Sequence, residues 1–298
     1  MIRYRVVHRT RYLYADAVSL CHNVAHLTPR DCAVQSLEQS LIQISPFPAA
    51  RLDRLDYFGN PTTYFTVQDP HTELSIEATH TISAWPRPAV AVSDGWNRMC
   101  ERLAHDTHAV WLDAAQYRYS TRSVVPQPEY AQYASRSFAT DRPIHEAVAE
   151  LTTRIHADFA YDPRATTVAT PLEEVFLKRR GVCQDFAHFQ VACLRSLGLA
   201  ARYISGYLST TPPPGKARLI GADASHAWIS VFCGDAGWVE FDPTNDQMAN
   251  ERYILLAWGR DYSDVCPIKG VILGGGAHQV KVAVDAIPED ELGGLASV

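Results

Sequence analysis

The first 85 residues of the chain show a two-residue alternation of side-chain character, which predicts β-strands. Even positions from Tyr4 to Tyr14 carry Tyr, Val, His or Thr and alternate with arginine and other residues, as expected for a strand with one buried face. Segments 37–44, 60–67 and 74–84 are similar, and the sequence FGNP at 58–61 is a turn signal. Short strands separated by turns predict a β-sandwich over residues 1–85.

A helical period follows this region. Residues 86–140 are predicted to form a linker, beginning with WPRPAV at 85–90, and a helical connection with one helix at 94–105. In 141–158 apolar residues recur at i, i+4, i+7 and i+11, which predicts a helix. A helix at 171–180 is predicted to end before Gly181, and a longer helix at 183–197 is predicted to end at Gly198.

Strand patterns return after Gly198. Segments 200–208, 226–232 and 238–242 predict strands, with a Pro-rich loop at 211–216 and another alternating segment at 280–284. The order of strand-rich region, helices and strands predicts the α+β class. We expect a core at 141–287 that includes the C-terminal strands, with a cysteine-bearing helix packed on an antiparallel sheet. Residues 288–298 are predicted to be a frayed tail.

Composition narrows the functional classes. The 298 residues have a net charge of −6 and are 47% hydrophobic and 20% charged, as in an ordinary globular protein. The lack of a basic stripe argues against a nucleic-acid partner. No apolar run approaches the roughly 18 residues of a transmembrane helix, and the N-terminus lacks the apolar run of a signal peptide. The sequence therefore predicts a cytoplasmic protein without a membrane partner, and it leaves the oligomeric state open.

The seven cysteines are scattered along the chain. In a reducing compartment they are predicted to be free thiols, most of them buried as small apolar residues. Neither C-x-x-C nor H-E-x-x-H occurs, so no metal site is predicted. The glycines at 274–276 lack the spacing and the lysine of a phosphate-binding loop and predict a hairpin turn. We therefore expect neither a metal ion nor a cofactor.

Cys183 differs from the other cysteines because it opens a predicted helix. Unpaired N–H groups and the positive end of the helix dipole stabilise a thiolate, which is the nucleophilic form. Taken alone, such a cysteine is most often simply buried. A thiolate catalyst also needs an imidazole nearby. His188 is close in sequence, but five residues at about 100° each place it roughly 140° away around the helix. It is predicted to be a packed or surface residue.

His226 is the better partner because it begins a strand that turns back toward Asp242. If the hairpin folds about Gly234, His226 lies directly opposite Asp242, and Trp228 lies opposite Glu240. Opposed residues have Cβ atoms about 4.5–5.5 Å apart, close enough for a carboxylate to hold one imidazole nitrogen. This prediction depends on the register of the two strands.

Three segments resemble the core motifs of bacterial transglutaminase-like proteins: RRGVCQDFAHFQVACLRSLGLAARYISGYL (179–208), GADASHAWISVF (221–232) and GWVEFDPTND (237–246). In that superfamily the Cys, His and Asp of these motifs form a papain-like triad, which implies Cys183, His226 and Asp242 here. The first 85 residues resemble the β-rich N-terminal region that accompanies this core in bacteria. GRDYSDVCPIKGVILGGG (259–276) resembles the segment that follows the core. Members are often described as cysteine proteases, which implies a peptide or protein amide substrate.

Other residues have weaker predicted roles. Tyr161 is a candidate hydrogen-bond donor to an oxyanion, with core packing as its alternative, and Gln184 is a candidate supporting residue in the first helical turn. Asp185 is predicted to make hydrogen bonds at the helix start. Trp228 and Trp238 either line a groove or belong to the core.

Three functions stay open from the sequence. We favour a peptidase or amidase that forms a thioester acyl-enzyme, because water is always available to resolve it and no tunnel for an amine is recognisable. A protein-glutamine transglutaminase, which transfers the acyl group to an amine, would use the same triad. A catalytically inactive binding or assembly protein is the third possibility.

Overall fold

The N-terminal region folds as an antiparallel sheet. The structure, a computed structural model, describes residues 1–90, 93–210 and 225–292. Five strands come from the first 84 residues: β1 (Ile2–Ala25), β2 (Gln35–Ser45), β3 (Ala50–Leu55), β4 (Pro61–Val67) and β5 (His71–Ala84). Hydrogen bonds join them in the order β2-β5-β1-β4-β3. The strand-rich character predicted from the alternation is confirmed.

The long strand β1 organises this sheet. Its first half pairs with β5 and its second half with β4, and the pairing is irregular between Leu13 and Val18. Two strands near the C-terminus, Ile268–Gly274 and His278–Pro288, pair with the other side of β1. The segment predicted as a β-sandwich is thus part of one curled, seven-stranded sheet, and the two C-terminal strands join that sheet rather than the core sheet.

Helices connect this sheet to the core. They are α1 (Trp96–His105), α2 (Ala109–Ala115), a 3₁₀ turn (Gln116–Arg118) and α3 (Pro128–Ser135). Met99 and Leu103 of α1 and Trp111 of α2 are buried, and α3 packs on the helix that bears Cys183. The connection therefore contributes apolar side chains to the same core.

The core consists of a five-stranded antiparallel sheet with helices packed on it. Its elements are α4 (Ile144–Asp158), β6 (Ala160–Tyr161), α5 (Leu172–Lys178), β7 (Arg180–Gly181), α6 (Cys183–Ser196), β8 (Ala201–Leu208), β9 (Ser225–Phe232), β10 (Trp238–Asp242), β11 (Gln247–Met248) and β12 (Tyr253–Gly259). The sheet order is β11-β10-β9-β8-β12, and β6 and β7 form a short parallel pair. Because α6 packs against β8 and β9, the predicted α+β core is confirmed.

The chain continues with α7 (Tyr262–Val265), β13 (Ile268–Gly274), β14 (His278–Pro288) and α8 (Glu289–Leu292). Residues 289–292 form a helical turn where the sequence predicts the start of a frayed tail, and an ion pair from Arg3 to Glu289 ties this turn to β1. Residues 293–298 and the predicted Pro-rich loop at 211–216 lie outside the described residues.

The helix α6 is enclosed by the rest of the core. Every residue from Asp185 to Arg195 is buried. Phe189 contacts the rings of Tyr130, Tyr133, Phe159 and Phe176. Such close packing on all sides leaves the helix little freedom to move, so Cys183 at its start has a rigid support.

Two side-chain amides close the outer edge of β12. Gln35 donates to the carbonyl oxygen of Leu255 at 2.7 Å and accepts from its N–H at 2.8 Å. Asn60 makes the same pair of bonds with Trp258, at 2.9 and 3.0 Å. Each amide stands in for the backbone of a neighbouring strand and covers an otherwise unpaired edge. The N-terminal region is therefore hydrogen-bonded to the core sheet.

Candidate active site

Cys183 is the first residue of α6 and follows the short strand β7. The carboxylate of Asp185 accepts hydrogen bonds from the N–H of Val182 at 2.8 Å and from the hydroxyl of Thr166 at 2.6 Å. These bonds fix the first turn of the helix, in line with the hydrogen-bonding role predicted for Asp185. The N–H groups of Cys183 and Gln184 have no acceptor within the helix, as at any helix N-terminus. The half-buried thiol lies at the positive end of the helix dipole.

The β9–β10 hairpin carries His226 and Asp242, but its register differs from the predicted one. Glu240 pairs with Ser230, whereas pairing about Gly234 would place it opposite Trp228. The strands are therefore shifted by two residues, and the prediction that His226 lies directly opposite Asp242 is wrong.

The turn of the hairpin explains the shift. It contains a 3₁₀ turn over Gly234–Ala236, and the N–H of Cys233 bonds to the carbonyl of Gly237 at 2.7 Å. Gly234 and Gly237 have φ angles of 66° and 71°, which glycine adopts without steric cost. Because side chains alternate with a period of two, a two-residue shift leaves every side chain on its face. His226 and Asp242 remain diagonal neighbours on one face.

This diagonal is short enough for direct contact. Nε2 of His226 lies 2.7 Å from Oδ2 of Asp242. The Asp242 side chain is completely buried, and the His226 side chain is 11% exposed. A buried carboxylate hydrogen-bonded to one imidazole nitrogen sets the tautomer and orientation of the ring, so the other nitrogen, Nδ1, is left for a further partner.

Asp242 is held by three more residues. The hydroxyl of Tyr253 and Nδ2 of Asn245 each donate to Oδ2 at 2.7 Å. The backbone N–H of Thr244 donates to Oδ1 at 2.8 Å. The sequence reasoning missed Tyr253 and Asn245. The motif DPTND at 242–246 is a signal for an Asx turn and would have identified Asn245, but Tyr253 lies on another strand and has no such signal.

The pKa values of His226 and Asp242 are shifted in opposite directions, and both shifts favour the charged forms. Burial lowers the pKa of His226, but hydrogen bonds and negative charge from Asp242 and Cys183 outweigh it and raise the pKa to about 10. Burial raises the pKa of Asp242, but the hydrogen bond and positive charge of His226, with the bonds from Asn245 and Tyr253, hold it below its usual value. At neutral pH the pair is therefore an imidazolium and a carboxylate.

Cys183 and His226 line the same small cavity. Cys183 is close enough to the imidazole for its side chain to be one of the causes that raise the pKa of His226. The cavity has a volume of about 380 Å³ and is lined by Tyr161, Cys183, Leu208, Thr210, Ser225, His226, Thr244 and Asn245. The three residues predicted to form a triad are thus brought together, with a space in which a substrate group can approach the sulfur.

The ring of Trp228 packs against the imidazole of His226. Its ring stacks on His226 with centroids 6.0 Å apart and an interplanar angle of 23°. Its Nε1–H donates to Glu240 at 2.8 Å, and it packs edge-on against Tyr253. A Cβ on Gly206 would lie 2.4 Å from Trp228 Cη2, so only glycine leaves room for this ring. Trp228 is fully buried, which places it in the core.

Other predicted residues lie away from the thiol. His188 is buried, and its ring packs at a tilt against Tyr203, so its exclusion from the site agrees with the helix geometry. Trp238 is half-buried and packs against Tyr117 and beneath the guanidinium of Arg202.

Tyr161 and Gln184, the two residues with weaker predicted roles, line different cavities. Tyr161 is 57% exposed and lines the cavity that contains Cys183. Burial and the charge of Cys183 raise its pKa, so it keeps its proton at neutral pH. Gln184 lines a second, larger cavity on the other side of the helix start.

Several classes of site are missing from the parts of the chain that the structure describes. Within residues 1–90, 93–210 and 225–292, no group of three or more His, Cys, Asp or Glu side chains is arranged to hold a metal ion. None of the helices in those ranges has the length and apolarity needed to cross a membrane. All seven cysteines are free thiols.

Two family models match the chain. The bacterial transglutaminase-like N-terminal region matches residues 4–83, and the transglutaminase-like superfamily matches residues 131–243. An uncharacterised protein of Mycobacterium tuberculosis strain H37Rv is 40% identical over 291 residues, which cover 96% of this chain and 93% of that protein. A protein-glutamine gamma-glutamyltransferase of Pseudomonas aeruginosa is 34% identical over 100 residues, which cover 33% of this chain and 15% of that protein.

The fold is also similar to that of a solved structure. A candidate cysteine protease from Cytophaga hutchinsonii superimposes with a TM-score of 0.74 and 18% sequence identity, covering 97% of this chain and 91% of the other. At this identity the likeness describes the fold, and it extends over both the N-terminal sheet and the core.

Proposed function

Because the chain belongs to the transglutaminase-like superfamily, we propose that it is a thiol-dependent enzyme for amide bonds, a peptidase or amidase. Cys183 is the nucleophile, His226 the acid and base, and Asp242 the group that orients the imidazole. One observation carries this proposal: His226 is hydrogen-bonded through Nε2 to the buried carboxylate of Asp242 and lines the same small cavity as Cys183. That is the nucleophile–base–orienting group arrangement of covalent catalysis.

The reaction proceeds in two steps. The thiolate of Cys183 attacks the amide carbonyl carbon, the imidazolium of His226 gives its proton to the departing amine, and the C–N bond breaks to leave a thioester. A water molecule then attacks the thioester, His226 takes a proton from that water, and the carboxylic acid leaves with the thiolate restored. Asp242 stabilises the imidazolium whenever it carries the extra proton.

The oxyanion formed in each step needs hydrogen-bond donors. The N–H groups at the start of α6 have no intrahelical acceptor and lie beside the sulfur, which makes them suitable donors. Tyr161 lines the same cavity and, being protonated at neutral pH, is proposed as a second donor. Gln184 is proposed as a supporting residue through its backbone N–H rather than its side chain, because the side chain lines a different cavity.

A transglutaminase is the second candidate. The segment shared with the Pseudomonas aeruginosa protein-glutamine gamma-glutamyltransferase favours it, because that relative is named for acyl transfer from glutamine to an amine. Hydrolysis remains the first choice because water is always available to resolve the thioester, whereas acyl transfer needs an amine that reaches the site ahead of water. The third candidate, an inactive binding protein, is disfavoured because a site freed from catalysis has no physical reason to keep Cys183, His226 and Asp242 together.

Alkylation tests the nucleophile. Burial raises the pKa of Cys100 to about 11 and of Cys233 to about 12, and it also raises that of Cys193, so these residues are thiols at pH 7. Treatment with iodoacetamide, followed by peptide mass spectrometry, should modify Cys183 faster than any other cysteine. His226→Ala should remove this advantage. Equal rates at Cys183 and at the half-buried Cys266 would contradict the proposal.

A substrate screen separates the two reactions. The purified protein is incubated with a peptide and isopeptide library in the presence and absence of a primary amine, and products are identified by mass. Hydrolysis adds water to the cleaved carbonyl, whereas acyl transfer adds the amine. Cys183→Ala is the control, and product formation by that variant would exclude the thioester route.

A further inference from the structure

A second cavity, larger than the one that contains Cys183, has buried polar side chains in its walls. It has a volume of about 550 Å³ and lies between α3, the segment before α5, the first turns of α6 and α7. Its walls include Gln184 and Asp185, the two residues that follow the proposed nucleophile. The two cavities share no lining residue, so they flank the start of α6 separately. A volume of this size is typical of a ligand site.

His188 lies on one wall of the cavity, and a hydrogen bond from the backbone determines which of its ring nitrogens carries the proton. Nε2 accepts a hydrogen bond from the N–H of Tyr262 at 3.1 Å. Burial lowers the pKa of His188 to about 4, against the opposing effect of Asp261, so the ring is neutral at pH 7. A neutral imidazole that accepts at Nε2 carries its proton on Nδ1. Among the described residues Nδ1 has no hydrogen-bond partner, although His188 is only 5% exposed.

A second wall presents the hydroxyl of Tyr130. This residue of α3 is 4% exposed, and its ring packs edge-on against Phe176 and Phe189. Burial raises its pKa to about 12, so the hydroxyl is protonated. No residue in the described ranges forms a hydrogen bond with it. Neither this hydroxyl nor Nδ1 of His188 is among the enclosed polar atoms that lack a partner, so both open onto the cavity they line and are available to bind a ligand there.

The charges around the cavity favour a neutral ligand. Arg122 and Glu173 lie exposed on its walls and have opposite sign. The carboxylate of Asp185 is occupied by Thr166 and Val182. An anionic ligand would meet both acids and only one cation. An amide group suits the walls better, because its carbonyl accepts from an N–H or O–H donor and its own N–H can donate to a hydroxyl or carboxamide oxygen.

We propose that this cavity is a peptide subsite, in which His188 and Tyr130 donate hydrogen bonds to the carbonyl groups of a neutral peptide segment. This inference deepens the proposed function and rests on it, because we take the bound segment to be part of the enzyme's substrate. The segment belongs to the same peptide chain as the amide bond that reaches Cys183 on the adjacent side of the helix start. Specificity would then come from residues on α3 and α6, not from the cavity that contains the thiol.

Binding of a blocked tripeptide, N-acetyl-Ala-Ala-Ala-amide, tests the subsite directly. The tripeptide is titrated into isotope-labelled protein while the Nδ1–H signal of His188 is followed by NMR. We expect a saturable shift in the wild type. Tyr130→Phe removes only the hydroxyl and should weaken binding roughly five- to tenfold, the effect of one neutral hydrogen bond. Val168→Trp, at a residue 71% exposed on the cavity wall, should block binding without removing a buried group.

Tyr133→Phe is the matched control. Tyr133 lies on the same helix and contacts the same two phenylalanine rings, but its hydroxyl donates to Asp158 at 2.8 Å, and it does not line the cavity. The affinity of the Tyr133→Phe variant for the tripeptide should stay within about twofold of that of the wild type. A linear or absent shift of the His188 signal in the wild type overturns the proposal. So does an equal loss in Tyr130→Phe and Tyr133→Phe, or tighter binding of N-acetyl-Ala-Ala-Glu.

The outcomes separate the subsite from the proposed chemistry. Cys183→Ala should bind the tripeptide as the wild type does, since the thiol is not part of this cavity. If Cys183 alkylates no faster than the other cysteines while the tripeptide still binds, the enzyme proposal fails and the peptide site stands. If Cys183 is reactive and the tripeptide does not bind, the subsite fails and the enzyme proposal stands.

Discussion

Replacing Asp242 with Asn is expected to lower the pKa of His226 and to change how stability depends on pH. The substitution keeps the size of the side chain and the oxygen that accepts from Thr244. It removes the negative charge that lies 2.7 Å from Nε2 of His226. Burial lowers the pKa of this histidine, and Asp242 supplies most of the opposing interactions. Without it we expect the pKa of His226 to fall from about 10 toward its ordinary value of 6.5.

The size of the effect follows from this shift. The interval from 6.5 to about 10 is roughly 3.5 pH units, and each unit corresponds to about 1.4 kcal/mol. The upper limit for the stabilisation of the imidazolium is therefore about 5 kcal/mol. Cys183 contributes part of this total, so we expect about 2–4 kcal/mol to depend on Asp242.

The sign of the pH dependence is determined by the raised pKa of His226. The stabilisation is fully present below the unfolded-state pKa of 6.5 and is lost as the pH rises through about 10. Asp242 must also be ionised, which holds at pH 6 because its pKa is lowered. Urea unfolding of both proteins at pH 6 and pH 9.5 measures the change. The difference in unfolding free energy should shrink by about 1–3 kcal/mol at the higher pH, because pH 9.5 still lies slightly below the folded-state pKa of about 10.

Two further measurements decide whether the pair is responsible. NMR titration of the His226 ring in both proteins gives its pKa directly. A double-mutant cycle with His226→Gln isolates the pairwise interaction, and its coupling energy should also shrink between pH 6 and pH 9.5. An unchanged His226 pKa in Asp242→Asn, or a stability difference that is the same at both pH values, would refute the reasoning.

Three other substitutions test separate parts of the argument. Cys183→Ala should abolish turnover and keep the melting temperature within a few degrees. Replacing the fully buried Cys193 with Ala should cost roughly 1–2 kcal/mol of stability and leave the turnover per folded molecule unchanged. Equal loss of activity in the two variants would show that the wrong thiol was assigned. Gly206→Ala would place a Cβ 2.2 Å from a backbone oxygen of β12 and 2.4 Å from Trp228. Thermal unfolding should therefore show a loss of stability above about 2 kcal/mol. A melting temperature equal to that of the wild type would contradict this packing. Asn60→Ala removes both hydrogen bonds to the edge of β12 and should cost about 1–3 kcal/mol in urea unfolding; no change would mean that water replaces the amide.

The elements of the core follow from local patterns in the sequence. The apolar stripe and Gly198 predict the helix that begins at Cys183, and the alternating segments predict the strands that carry His226 and Asp242. Each of these signals lies within a few residues of the element it describes, because helix and strand periodicities are local. The resemblance of the motifs then connects the three residues before any distance is known.

The register of the hairpin shows where local reasoning stops. The alternation places His226 and Asp242 on one face in any register that differs by an even number of residues. The choice among these registers depends on the turn, and two glycines with positive φ make it longer than pairing about Gly234 allows. The contact survives because histidine reaches a diagonal neighbour.

Only the tertiary structure decides which distant segments meet at the site. Tyr253 donates to Asp242 because β12 crosses the sheet to the edge beyond β8, and Gln35 reaches that strand from 220 positions away in sequence. His188 and Tyr130 meet at one cavity because α3 packs on α6. No short segment of the sequence records such contacts. They arise when separate apolar faces are buried against one another, and that arrangement depends on the whole chain.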